Sequence, residues 1–244
     1  MTNLLFPTDF SSNNNAALSW VRLFARKTGA TVTLLHVFEP MLPDTTLPTL
    51  GDPGLGVAAS QEVEEISRQR LTELADDLQG QGLSIQTEWR IGSAEDEILD
   101  VAKSISADLI VMGRSNLTSF FDQLAGSAVS DVAGEALCPV LVVPAQTDQH
   151  DTLAVPAQVR TIAYAMQSRT TQSDVSAQTD SLVEAFDADL TVLTDDKLDT
   201  ATADLIVMQL YPQSGFLDSL LHPNRTTALV EKSSIPVLVY PMPK

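Results

Sequence analysis

The sequence predicts an α/β protein made of two tandem open parallel-sheet sandwiches with helices on both faces, the second of them truncated. Two observations carry this prediction. Apolar strand-like runs alternate with amphipathic helical patterns through the first half of the chain, which is typical of parallel strands joined by right-handed crossovers. The segment Ala107–Met112 then recurs letter for letter at Ala203–Met208. A repeat of this kind indicates two copies of one structural unit.

The first copy, residues 1–146, is predicted to contain five strands. Each is an apolar or alternating run of strand length, bounded by Pro, Gly or a polar cluster. Pro7 suits the end of the first strand because proline cannot donate a hydrogen bond to a neighbouring strand. The predicted strands are Asn3–Phe6, Thr31–Phe38, Leu83–Ile91, Leu109–Met112 and Val140–Val143.

Helices are predicted between these strands because apolar residues recur there at helical spacing. Trp20 and Phe24, for example, lie on one face of the first helix. A loop is predicted over residues 39–56, which are rich in Pro and Gly. The predicted helices run from Ser11 or Ser12 to Gly29, over Val57–Leu78, over Glu95–Ser104, and from Gly126 to Cys138.

The second copy, residues 157–244, comes after a polar stretch without periodicity that predicts a linker over residues 147–156. It begins with a predicted strand, helix and strand like those of the first copy. Only about ten residues then separate the second strand from the repeated segment, against roughly seventy in the first copy. The second copy is therefore predicted to lack the long loop, the charged helix, one strand and one further helix. The three predicted elements are Val159–Ala165, Asp174–Phe186 and Leu190–Leu193.

Composition narrows the classes of function. Hydrophobic residues make up 44% of the chain and charged residues 19%, which is ordinary for a globular protein. The net charge is −18, from 32 acidic and 14 basic residues, which argues against nucleic acid as a partner. No apolar run reaches the length of a membrane span, and the N-terminus resembles no leader peptide, so a cytoplasmic location is expected. The single cysteine, Cys138, cannot form an internal disulfide.

An anion-binding cradle is predicted in the first copy only. Gly113 ends a buried strand, and Gly126-Ser127 begins the helix after the next loop. The unpaired N–H groups and the positive dipole of a helix N-terminus can hold a phosphate without a basic side chain. In the second copy Gln209 replaces Gly113, and His222-Pro223 replaces the Gly-Ser pair. The second copy is therefore predicted not to bind an anion.

These residues together resemble the universal stress protein family in its tandem two-domain form. The resemblance rests on Pro7-Thr8-Asp9, Leu34–Val37, Glu97–Leu99, Ala107–Gly113, Gly126-Ser127 and Cys138–Pro144. It implies an adenine nucleotide alpha hydrolase-like fold with a five-stranded parallel sheet, and binding of ATP or AMP, with or without Mg²⁺, through G-x2-G-x9-G-[ST]. Asn116 stands at the second glycine of that motif, and asparagine tolerates left-handed backbone geometry better than most residues.

The resemblance also implies the positions of the nucleotide site. Asp9 corresponds to the residue that meets adenine, and Val37 to a backbone contact from the second strand. Both parts of the site have a structural alternative: Asp9 caps the first helix together with Ser11 and Ser12, and the glycines serve only as turn residues. The expected cofactor-binding residues are Pro7, Thr8, Asp9, Val37, Met112, Gly113, Arg114, Asn116, Gly126, Ser127 and Ala128.

Three functions compete at this point. The first is a nucleotide-binding module acting in bacterial stress response. The second is a scaffold or interaction protein of the same fold, which does not need a nucleotide. A slow ATP hydrolase ranks last, because no general base with a metal cluster and no G-x-x-x-x-G-K-[ST] loop is present.

The last strands of family members pair across a dimer interface. The resemblance therefore implies that Val237–Tyr240 pairs with Val140–Val143 within one chain as a pseudo-dimer. A further homodimer is left open.

Overall fold

Nine described strands form one sheet in the computed structural model of the chain. The structure describes residues 1–11, 14–39, 53–114, 129, 131–144, 158–166, 171–193, 203–209 and 233–241. The strands are β1 (Asn3–Pro7), β2 (Thr31–Phe38), β3 (Ile85–Ile91), β4 (Leu109–Arg114), β5 (Val140–Pro144), β6 (Thr161–Ala165), β7 (Asp189–Leu193), β8 (Leu205–Gln209) and β9 (Val237–Tyr240). The helices are α1 (Asn14–Thr28), α2 (Pro53–Gly80), α3 (Ala94–Ser104) and α4 (Gln172–Phe186), and residues 131–135 are also helical.

The strand order across the sheet is β3-β2-β1-β4-β5-β9-β8-β6-β7. Every pair within the first five strands is parallel, and so is every pair within the last four. This confirms the predicted α/β class with a doubly wound parallel order. Among the described strands only β5 and β9 pair antiparallel, with Leu141 opposite Leu238. The predicted pairing of these two strands is therefore present, and it joins the halves into one continuous sheet.

The internal repeat extends to individual hydrogen bonds. Asp108 Oδ2 accepts from the backbone N–H groups of residues 2 and 3 at 2.5 and 3.0 Å. Asp204 Oδ2 accepts from the N–H groups of residues 160 and 161 at 2.7 and 3.0 Å. The helix after the first strand also keeps its length, since α1 and α4 each have 15 residues. These matches make β6, α4, β7, β8 and β9 the counterparts of β1, α1, β2, β4 and β5.

The core is shared by the two halves. One buried apolar cluster joins residues of β1, β2 and α1 to residues of β6, β8 and α4 on the same face of the sheet. Within it, the rings of Phe24 in α1 and Phe186 in α4 meet edge to face with centroids 5.3 Å apart. A second cluster on the other face likewise joins α3 and residues 129–136 to strands of both halves. Neither half completes its core alone.

The two halves differ in the chain between their second strand and the repeated segment. In the first half, α2, β3 and α3 separate β2 from β4. In the second half the chain runs from β7 to β8 with only residues 194–204 between them. The helix α2 begins at Pro53, inside the predicted loop, and residues 40–52 of that loop lie outside the described residues. The predicted linker 147–156 also lies outside them. No helix among the described residues is long and apolar enough to cross a membrane.

Candidate functional site

The candidate site lies where the strand order reverses in the first half. The chain enters the sheet at β1, adds β2 on one side and later β4 on the other, so a crevice opens between the two crossovers. Ligands of doubly wound sheets bind at this point, beyond the carboxyl ends of the strands. Here those ends are Pro7 in β1, residues 35–38 in β2, and Gly113 in β4. The structure thus brings the predicted residues of these three strands to one edge.

Thr8 comes directly after β1 and fixes the first turn of the site. Its N–H donates to the Leu35 carbonyl at 2.8 Å, which is the last step of the β1–β2 pairing. Its buried hydroxyl accepts a hydrogen bond from the Phe10 N–H at 3.1 Å. Its carbonyl lies 2.8 Å from His36 Nδ1, so Nδ1 carries the proton, because a carbonyl can only accept. Thr8 therefore shapes the site through its backbone hydrogen bonds and through the turn that its hydroxyl stabilises.

Phe10 adopts a left-handed backbone conformation, with φ of 60°. This region is unfavourable for a bulky side chain, and residues held there cluster at functional sites. The Phe10 ring lies against the His36 imidazole, with centroids 4.6 Å apart. His36 is half-buried and hydrogen-bonded to the Thr8 carbonyl. Sequence reasoning missed Phe10, and only its position next to Asp9 pointed to it.

Asp9 is exposed and holds the start of α1. Its Oδ1 accepts from the Ser11 N–H at 2.9 Å and from the Asn14 side-chain amide. Asp9 thus binds the turn before α1 and the side chain of the first helical residue, but none of its hydrogen bonds among the described residues is to a backbone N–H of α1. Among the described residues no partner is found for Asp9 Oδ2, so the same carboxylate retains an oxygen that can accept from a ligand. Holding this turn and binding a ligand are compatible at this residue.

Val37 offers backbone groups to the same space. Successive residues of a strand direct their N–H and C=O groups to opposite neighbours. Leu35 directs its carbonyl toward β1, where it accepts from Thr8, so Val37 also points to that side. Because β1 ends at Pro7, opposite Leu35, the Val37 groups face the crevice beyond it. Val37 therefore presents one donor and one acceptor side by side.

The end of β4 forms the other wall. Met112 is buried in the second cluster, and Gly113 pairs with Val143 of β5. Arg114 is only 9% exposed, and its Nη2 donates to the Ser233 carbonyl of the second half at 2.5 Å. The only basic side chain expected near the phosphates is thus held by the second half of the chain. The backbone of Arg114, however, lies at the predicted edge of the sheet.

The described part of the chain does not include the remaining four predicted residues, which are Asn116, Gly126, Ser127 and Ala128. Their contact with phosphate stays a prediction. Among the residues that the structure describes, no group of three or more His, Cys, Asp or Glu is arranged to hold a metal ion.

In the second half a buried hydrogen-bonded network lies at the position that corresponds to Gly113. Gln209 stands at the position of Gly113 and is buried. Its amide accepts from Gln178 of α4 and donates to the Pro241 carbonyl at 3.3 Å. Gln178 in turn accepts from the Tyr164 hydroxyl at 3.0 Å. Gln178 and Tyr164 replace Trp20 and Phe6 of the first half, so an apolar pair and a glycine have become a hydrogen-bonded polar network.

Similarity to known proteins agrees with this geometry. The model of the universal stress protein family matches residues 1–144. The universal stress protein MJ0577 of Methanocaldococcus jannaschii is 31% identical over 151 residues, which cover 57% of this chain and 93% of that protein. A universal stress protein of Thermus aquaticus is 31% identical over 144 residues, covering 57% of this chain and 96% of its own.

Solved structures extend the likeness of the fold to the second half. A universal stress protein from Archaeoglobus fulgidus superposes with a TM-score of 0.63 at 16% identity, covering 98% of both chains. A protein of unknown function from Pseudomonas aeruginosa, PA1789, gives a TM-score of 0.64 at 14% identity and covers 99% of this chain and 92% of its own. At such low identity these two show the fold alone, whereas the family model covers more than half of the chain. The chain belongs to the universal stress protein family.

Proposed function

We propose that the first half binds one adenine nucleotide, ATP or AMP, at the crevice between β1, β2 and β4, and that the protein acts in the stress response. The observation that carries the proposal is the pair of backbone groups of Val37, which face the space beyond the end of β1. Adenine presents an acceptor, N1, beside a donor, its amino group, and this pattern matches the N–H and C=O of one residue. Asp9 Oδ2 supplies a second acceptor for the amino group.

The phosphates in this proposal extend toward Gly113 and the helix that contains residues 131–135. A glycine at the strand end leaves room for close approach, and backbone N–H groups at a helix start stabilise negative charge. The Arg114 guanidinium keeps its positive charge, but one of its donors is taken by the neutral Ser233 carbonyl. We therefore expect AMP to bind at least as tightly as ATP without Mg²⁺, and Mg²⁺ to favour ATP by neutralising its added charge.

The second half serves in this proposal as a built-in partner that binds no nucleotide. Two features support it. Strand β9 covers the edge of β5 that would otherwise be open, and exposed edges promote uncontrolled association. Gln209 stands where the first half has Gly113 and is held in a buried network, and removing the partners of buried amides is costly. We further propose that the protein is a binder and not an enzyme.

The test is calorimetric titration of the whole chain with ATP and AMP, each with and without Mg²⁺. The decisive variant is Gly113→Gln, which gives the first half the side chain that the second half carries at this position. We expect one nucleotide per chain, and at least tenfold weaker binding in the variant, because the new side chain occupies the crevice. Gly134→Gln is the matched control, since a Cβ at Gly134 meets no atom within 4 Å.

Two results would contradict the proposal. Two nucleotides per chain would show that the second crevice binds as well. No binding to a folded protein would favour the second candidate, a scaffold that needs no nucleotide. The bond between Arg114 and Ser233 is the observation that favours this candidate, because it commits one guanidinium donor of the nearby cation to the second half of the chain.

A further inference from the structure

Strand β7 lies at one end of the sheet, with no strand beyond it among the described residues. Leu190 and Val192 are 37% and 41% exposed, whereas Val32 and Leu34, their counterparts in β2, are fully buried. Exposed apolar side chains on an edge strand invite pairing with another chain, and proteins usually protect such edges with charge, proline or a covering element. In the described part of the chain, no charged residue, proline or covering element protects Leu190 and Val192.

The first half shows what covers the same position when it is complete. There β3 pairs with β2, and α2 packs over the two strands with Leu71, Ala75 and Leu78. Between β7 and β8 only residues 194–204 are available. A crossover between parallel strands already takes a dozen or more residues, so this segment cannot supply both a helix and a strand. Among the residues that the structure describes, no helix or strand of the second half takes the place of α2 and β3 beside β7.

The backbone of β7 is set to accept another strand. Asp189 and Leu193 form their hydrogen bonds toward β6, at 2.8 Å each. Because alternate residues point to opposite sides, Leu190 and Val192 direct their N–H and C=O groups to the open edge. In the first half Val32, the counterpart of Leu190, donates its N–H at 2.8 Å to Ser84, which immediately precedes β3. On β7 no described strand pairs with the same hydrogen-bonding positions.

The charge around this edge selects the partner. From Asp174 to Asp189, all of it described, the chain has five acidic residues and no basic one. Asp180 and Glu184 are exposed on α4, and Asp187 and Asp189 lie shortly before and at the start of β7. A second copy of this chain would bring its own net charge of −18 to the contact. Like charges brought together cost free energy, whereas a basic segment gains it and is steered to the site.

We propose that the open edge of β7 binds an extended, basic segment of another protein, which adds as a further strand. Its main chain pairs with Leu190 and Val192, its apolar side chains cover theirs, and its Lys or Arg side chains face the acidic surroundings. This mode of recognition combines backbone hydrogen bonds with alternate side-chain contacts. Strand β3, with Thr87, Trp89 and Arg90, is the internal example of a segment that fits this position.

The probe is a fluorescent peptide with the sequence of residues 84–92 and the change Glu88→Lys, titrated into the whole chain and followed by anisotropy. We expect saturable 1:1 binding that is at least tenfold weaker for Val192→Lys and for Val192→Pro. Proline at 192 removes only an N–H that faces the edge, so the pairing with β6 is kept. A peptide that retains Glu88 and carries Arg90→Glu should bind weakly, because its charge is acidic.

Ile91→Lys is the matched control, since Ile91 is an exposed apolar residue on the opposite edge of the sheet, 54% exposed. This variant should bind the peptide as the unchanged chain does. Equal binding by the chain and by both Val192 variants overturns the proposal, and so does the absence of saturation at the highest soluble peptide concentration. A dimer in sedimentation that Val192→Lys dissociates also overturns it, because the edge then belongs to a second copy. Circular dichroism confirms that the variants are folded.

Discussion

The shared core predicts that a substitution in the second half destabilises the first half as well. Leu238 in β9 is 2% exposed and faces Leu141 of β5 in the cluster that joins the halves. Leu238→Ala removes about three buried carbon atoms, which at ~0.8 kcal/mol each gives about 2.4 kcal/mol. The cavity left behind raises the expected loss of stability to about 3 kcal/mol. For a chain of this size the melting temperature should fall by about 6–12 °C.

The assay uses the position of the two tryptophans. Trp20 in α1 and Trp89 in β3 both lie in the first half, so tryptophan fluorescence reports on that half, whereas circular dichroism reports on the whole chain. In Leu238→Ala both signals should shift together in one transition, since the two halves complete one core. Leu190→Ala deletes the same atoms from a residue that is 37% exposed, and should cost only about 1.5 kcal/mol.

One outcome would refute this reasoning. If the fluorescence midpoint stays unchanged while the dichroism signal splits into two transitions, each half is stable by itself. The contact between α1 and α4 and the pairing of β5 with β9 would then be weak associations between independent domains.

The pKa shifts give two further predictions. The N–H groups of Thr2 and then Asn3 lower the pKa of Asp108, so its stabilising effect is present above the unfolded pKa and is lost as pH falls through the folded one. Asp108→Asn should therefore make urea stability less dependent on pH in acid, whereas the exposed Asp76→Asn should not; an unchanged profile would contradict the assignment. Burial, with a smaller effect of the Asp108 charge, raises the pKa of the Cys138 thiol to about 11. The thiol should react with iodoacetamide at about pH 8 much more slowly in the folded chain than in urea, and equal rates would exclude this protection.

Much of the proposed nucleotide site is set by the order of elements along the chain. Right-handed crossovers that put helices on both faces of the sheet place later strands on either side of the first, so the ends of β1, β2 and β4 meet. Asp9, Val37 and Gly113 were therefore predictable from strand assignments. The side chain of Arg114 was not, since its partner Ser233 is 119 residues away. Nothing in the local pattern around either residue indicates that contact.

The second half likewise has features that the sequence predicted and a contact that only the fold reveals. The shortness of the second half was visible in the sequence. Only about ten residues separate its second strand from the repeated segment, which leaves no room for a helix and a strand. The replacement of Gly113 by Gln209 was visible too. That Gln209 joins Gln178 and Tyr164 in one buried network appears only in the fold, since their spacing in the sequence has no periodic meaning.

The sequence by itself determined the strands, most helices, the duplication and the truncation, because these depend on local apolar patterns and on identity between segments. Tertiary structure decided what depends on distant groups meeting: the left-handed Phe10 against His36, the bond from Arg114 to the second half, and the open edge of β7. A strand pattern specifies which residues extend, but the neighbours of that strand are set by the packing of the whole chain.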